Sequence, residues 1–147
     1  MANHVRQQLR ESIAAAITGL TTTSTRVFQS RVYPIEVGQL PCLVVTSDGD
    51  SVSADTVHHP YQQNRSTTIR IEAYARAIAD LDDTLDLICK EVETAIGGVS
   101  FGIAQGCYLQ GTQIEFDSIG DQPVGKATLI YSKDLYTLSN SPDVLIG

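Results

Sequence analysis

The chain has few cysteines, few basic residues and no long hydrophobic run. Its three cysteines, Cys42, Cys89 and Cys107, are an odd number at wide spacing. That excludes a disulfide framework and the short paired spacings of a zinc site. Two of them sit in apolar runs, where a free thiol behaves as a small buried hydrophobe. Assembly in a reducing cytosol follows. No stretch reaches the roughly 18 apolar residues of a membrane span, and the N-terminal stretch lacks an apolar signal core. No membrane contact is expected. Lys and Arg total 10 against 17 Asp and Glu, a net charge of −7. Tight binding to a nucleic-acid backbone comes from clustered Lys and Arg, so this balance excludes it. There is no internal repeat and no low-complexity tract.

What is present is globular in kind. The 147 residues are 42% hydrophobic and 18% charged. That length suits one domain with one core. The organising stretch is 65–98. In its first part Ile69, Ile71, Ala73 and Ala75 alternate with Thr68, Arg70, Glu72 and Tyr74. Period two marks a strand with one buried side. In its second part Leu81, Leu85, Ile88, Val92 and Ile96 step by four or three and line one helical stripe. Asp80 stands at the N-cap position, and Asp82, Asp83 and Asp86 suit the positive end of the helix dipole. Gly97 and Gly98 mark the stop.

The remaining elements fall around this unit. Asn3 is expected to cap a first helix over 4–18, with Val5, Leu9, Ile13, Ala16 and Ile17 as its stripe and Gly19 as its stop. Residues 26–33 read as a short strand ended by Pro34. The run 40–46 is continuously apolar, which predicts a strand covered on both faces. Asp48-Gly49-Asp50 reads as a turn. Residues 51–64 pair with 65–75 as a long hairpin with a polar tip, or form a surface loop. Residues 107–116 read as a strand with a bulge at Gly111, and 126–136 as the last strand. The expected fold is α+β. A single mixed, mainly antiparallel sheet carries two helices on one face and extends a β-hairpin arm. The main domain is 1–137, and 138–147 forms a C-terminal tail that either docks on a neighbour or frays.

No catalytic, cofactor or metal site is expected. His58 and His59 beside Asp55 are adjacent strand residues that point to opposite faces, and no further ligands stand at useful spacing. The acidic run at the second helix lacks the central Gly and closing Glu of a calcium loop. Cys89 lies on or beside a buried stripe, where a thiol is inert. Gly97 to Gly102 lacks a Lys and follows a helix, the wrong context for a phosphate loop. Glu72 and Glu115 are candidates to face each other across strands. The reading is a non-enzyme.

Arg31-Val32-Tyr33, then 40–45 (LPCLVV), then Ile71-Glu72-Ala73-Tyr74 before the Asp-rich helix, then Leu129-Ile130-Tyr131 carry a resemblance. In that order they resemble the tail terminator and tail completion proteins of long-tailed phages, over about Val5 to Tyr136. The resemblance implies a virion protein at the tail–neck junction, assembled in the bacterial cytoplasm. It implies a hexameric ring that caps the tail tube, ends tube polymerisation and offers a surface to the head–tail connector. It brings no catalytic residue, and 138–147 lies beyond it. A negative protein suits a lumen through which DNA passes without specific binding. Arms and an apolar tail end suit a ring whose subunits meet through two different patches. The candidate interface residues are Asp55, His58, His59, Tyr61 and Arg65 in the arm, and Val144, Leu145 and Ile146 in the tail. Competing readings are another neck ring subunit (head–tail joining or head-closure), a small ligand-binding α+β module, and a ferredoxin-like homodimer.

Overall fold

The computed structural model describes residues 3–29, 40–76, 80–97, 106–117 and 124–146. Two helices and five strands follow in the order α1 (Val5–Ala16), β1 (Val27–Gln29), β2 (Cys42–Ala54), β3 (Gln62–Arg76), α2 (Leu81–Gly97), β4 (Tyr108–Asp117) and β5 (Val124–Leu138). The strands form one sheet in the order β1-β2-β3-β5-β4. Among the described residues only the β1–β2 pair is parallel. The expected α+β class, with one mixed and mainly antiparallel sheet, is what the chain adopts.

Register shows how the sequence makes one core. Leu43, Ala73 and Ala127 stand side by side across β2, β3 and β5, as do Val45, Ile71 and Leu129. These residues share a face and join one buried cluster with Val5, Leu9 and Ile13 of α1 and Leu85, Ile88 and Val92 of α2. Both helices therefore cover the same face, α1 over β1 and β2, α2 over β3 and β5. The α2 stripe is buried as the spacing predicts, with Cys89 added. In α1 the residue buried beside Ile13 is Ala14 rather than Ala16. On the sheet's other face Cys42 and Val44 are also buried. The 40–46 run is thus covered on both sides, as its unbroken apolar character implies.

Several local expectations change. The cap of α1 is His4 rather than Asn3, because the His4 Nδ1 accepts from the Arg6 N–H at 3.1 Å. Asp80 does precede α2, and its carbonyl accepts the first helical N–H, that of Thr84, at 3.0 Å. Its φ of 60°, however, is left-handed rather than the extended form of an N-cap. Asp48-Gly49-Asp50 is no turn. It lies inside β2, where the register shifts between Ser47 and Gly49 and Gly49 takes φ 104°. A bulge uses the same Gly and Asp chemistry as a turn, and the continuing ladder to Ala54 decides between them. The second bulge lies between Leu109 and Gly111, beside the position expected for it. Arg31-Val32-Tyr33, Pro34 and Gly98 lie outside the described residues.

Candidate assembly interface

The arm is broader than a hairpin. Beyond Gly49, β2 pairs with β3 through Ala54 and Gln63. On the other side β5 follows β3 to its first residue, Gln62 opposite Leu138. Three strands therefore extend past the helical layer, with 55–61 as the tip. The tip is held by Asp55 N–H on the Gln62 carbonyl at 2.7 Å and Gln62 N–H on Thr56 Oγ1 at 3.0 Å. Tyr61 and Ser139 exchange two bonds, Ser139 N–H to the Tyr61 carbonyl at 2.7 Å and Tyr61 N–H to Ser139 Oγ at 3.0 Å. His59 meets Tyr61 edge to face, with centroids 5.3 Å apart. Asp55, His58, His59 and Tyr61 thus gather at one exposed tip with Val57, which is 87% exposed.

Arg65 does not join them. Its side chain is 11% exposed and lies at the root of the arm. There its Nη1 reaches Asp50 Oδ2 at 3.2 Å and its Nε donates to Thr137 Oγ1 at 3.0 Å. Arg6 of α1 reaches the same Asp50 oxygen at 3.0 Å. One buried carboxylate therefore ties α1, β2 and β3. Burial pushes the Asp50 carboxyl up, but bonds from both guanidiniums and their charges outweigh it and hold the group below 3.8. Burial, then the charges of Arg6 and Arg65, holds His4 below its ordinary 6.5. A neutral imidazole is what the cap needs, since only an unprotonated Nδ1 accepts from Arg6. Sequence reasoning missed Asp50, because a turn reading leaves its side chain in water.

Both shifts make acid destabilising. The folded state binds these protons less readily than the unfolded chain, so stability rises with pH across each window. The His4 contribution is complete above 6.5 and is lost as pH falls through its lower folded value. The Asp50 contribution is complete above 3.8 and is lost below that. The urea midpoint should therefore fall between about pH 7 and about pH 5. His4→Asn, which keeps a capping side chain, should flatten that part of the profile.

The tail is pinned on its own chain, neither frayed nor free to leave without breaking bonds. The Pro142 carbonyl accepts from the Val5 N–H at 3.0 Å, one of the unpaired amides of a helix start. Gln8 Nε2 donates to the Asp143 carbonyl at 2.9 Å, and the Ile146 N–H donates to the Tyr136 carbonyl at 2.9 Å. Val144 is 52% and Leu145 38% exposed, while Ile146 is half-buried. The tail begins within β5, meets the tip through Ser139 and Tyr61, and then carries Val144 to Ile146 back toward α1 and Tyr136.

The other face of the sheet carries ion pairs. Glu72 and Glu115 do not meet directly: Lys126 Nζ stands between them at 3.3 Å and 3.4 Å. Tyr74 donates to Glu72 at 3.1 Å, and burial, with Glu72 beside it, pushes the Tyr74 hydroxyl up to about 12. Burial likewise raises the Cys89 thiol to about 11, so it stays protonated. A groove of about 520 Å³ between the turn after α1 and α2 is lined by Leu20, Leu87 and Glu91 among others. Its carboxylate is occupied by the Thr22 N–H and hydroxyl. Among the described residues no group of three His, Cys, Asp or Glu is placed to hold a metal. No described helix is long and apolar enough to cross a membrane.

The fold defines a small α+β protein, one sheet under two helices with a three-stranded arm. Among solved structures it is similar to a chain in the virion of the native gene transfer agent particle. The identity is 16%, the TM-score 0.50, and the alignment covers 91% of this chain and 92% of that one. No family model matches the sequence, and no curated protein matches it.

Proposed function

We propose that this chain is a structural virion protein of a phage-like particle, and within that class a tail terminator. The observation that carries the reading is fold likeness to a virion chain along nearly the whole length of both. In this role the protein is not a catalyst. Copies form a hexameric ring at the tail–neck junction, stop growth of the tail tube and offer the head-side connector a surface. The exposed tip 55–61, with Val57 and Tyr61, supplies contacts to a neighbouring copy or to the tube. A net charge of −7 lets DNA pass the lumen without adhering.

The test is electron microscopy of purified protein mixed with assembling tail-tube subunit. Rings at the ends of tubes of uniform length are the expected result. Uncapped tubes of scattered length beside monomers would overturn the reading. Replacing 56–60 by a short Gly-rich turn should leave the fold intact and weaken capping.

A further inference from the structure

We propose that copies of this chain join edge to edge, β4 of one copy pairing with the outer edge of residues 46–54 in β2 of the next. The inference rests on the ring reading above and names its joint. Among the described residues β4 is the last strand of the sheet, paired on one side with β5 and on the other with nothing. Its ten residues contain no Lys, Arg or Pro. Lys and Pro are among the usual protections of an exposed strand edge; the charges of β4 are Glu115, which pairs with Lys126 of β5, and Asp117 at its last position. It carries instead Leu109, Ile114 and Phe116, which are 37%, 43% and 56% exposed.

The β4 bulge explains how these residues act together. Leu109 stands opposite Tyr131, Ile114 opposite Ala127 and Phe116 opposite Gly125. All three partners lie on the helix face. Without the extra residue between Leu109 and Gly111, Leu109 would point to the other side. The bulge thus sets an apolar strip on the helix face of an edge that α2, lying over β3 and β5, leaves uncovered.

The far side of the sheet has a matching edge. β1 pairs only with Leu43, Val44 and Val45 of β2. Among the described residues nothing pairs with the outer edge of β2 beyond them, and 51–54 are all exposed. There Val52 and Ala54 lie on the helix face, opposite Arg65 and Gln63, while Ser51 and Ser53 lie on the other. Apolar residues on β4 then meet apolar residues on β2, and Gln113 and Glu115 meet serines. Strand direction agrees as well. Three antiparallel steps separate β2 from β4, so a copy placed alongside brings its β2 antiparallel to β4 with all helices on one side. A two-fold β4–β4 joint would satisfy one edge and leave β2 open. The β4–β2 joint satisfies both edges and, being heterologous, repeats until a ring closes.

Disulfide trapping tests the joint. In a Cys107→Ser background Cys42 and Cys89 are the remaining thiols, and both are buried. Val52→Cys is combined in turn with Leu109→Cys, Thr112→Cys, Ile114→Cys and Phe116→Cys, which cover the registers that keep helix faces together. Mild oxidation of one of these double variants should give a covalent ladder. Mixing the two matching single variants should give a dimer and nothing larger. A dimer from a β4 single variant alone would overturn the proposal in favour of the two-fold joint. Absence of any cross-link in protein whose solution mass is that of a ring would overturn the joint and spare the ring. A monomer mass at every concentration would overturn both. Ile114→Lys, a change at an exposed position, should keep the native secondary structure and abolish the oligomer, leaving a melting temperature that no longer depends on protein concentration, while retention of the oligomer would also overturn the joint.

Discussion

Asp50→Ala is expected to lower the unfolding free energy by about 3–5 kcal/mol, the cost of breaking a buried ion pair from one side. The Asp50 side chain is 8% exposed and that of Arg65 11%. Removing the carboxylate leaves the Arg65 guanidinium out of water with only Thr137 and Gln63 as neutral partners. Arg6→Ala removes the more exposed cation, 37% open to solvent, and should cost about 1 kcal/mol or less. Urea titrations of the two variants at one pH compare the losses directly. Equal losses would show that Asp50 is not the centre of the clasp. The arm should respond locally too. Amide exchange in 62–67 and 133–138 should speed up in Asp50→Ala more than in the sheet beneath α2.

Leu85→Ala should cost about 2–5 kcal/mol, because Leu85 is fully buried and its removal leaves a cavity between α2 and the sheet. Its neighbour makes the experiment more informative. A Cβ at Gly125 would stand 2.7 Å from Leu85 Cδ1 and 3.1 Å from Leu81 Cγ and Cδ2. Gly125→Ala alone should therefore cost about 1–3 kcal/mol by overpacking, at the low end where the leucine tips can turn aside. In the double variant the new methyl enters space that Leu85 has vacated. The loss should be smaller than the sum of the two by about 0.5–3 kcal/mol. Strict additivity would show that α2 does not sit on Gly125 as closely as described.

The central strand and helix were legible because their patterns are long and unmixed. Ile69 to Ala75 alternate without exception, and Leu81 to Ile96 keep one stripe over the whole helix. Short-range chemistry was less telling. Asp-Gly-Asp serves a turn or a bulge equally, and only pairing with Thr67 and Thr68 decided for the bulge. Asn3 and His4 both offer a capping acceptor, and the choice depends on where the chain enters the helix. The candidate interface residues divided for a similar reason. Asp55, His58, His59 and Tyr61 are polar or aromatic residues at a tip, which sequence can place. Arg65 is a charge on a strand face, and its fate depends on Asp50, 15 positions earlier. The third strand of the arm was unreadable locally, since the pairing of Gln62 with Leu138 is a contact between distant parts of the chain.

The width of the arm has a mechanical consequence. A two-stranded ribbon twists and bends easily, so a load at its tip is spent in bending. Here β3 is flanked on both sides from Gln63 to Tyr74, which makes the projection a beam rather than a ribbon. Its root is fixed by Asp50, and through Arg6 to the first turn of α1. Torque applied at 55–61 is therefore delivered to the helical layer on the far side of that fixed point. Whatever grips the tip turns the body of the domain with it.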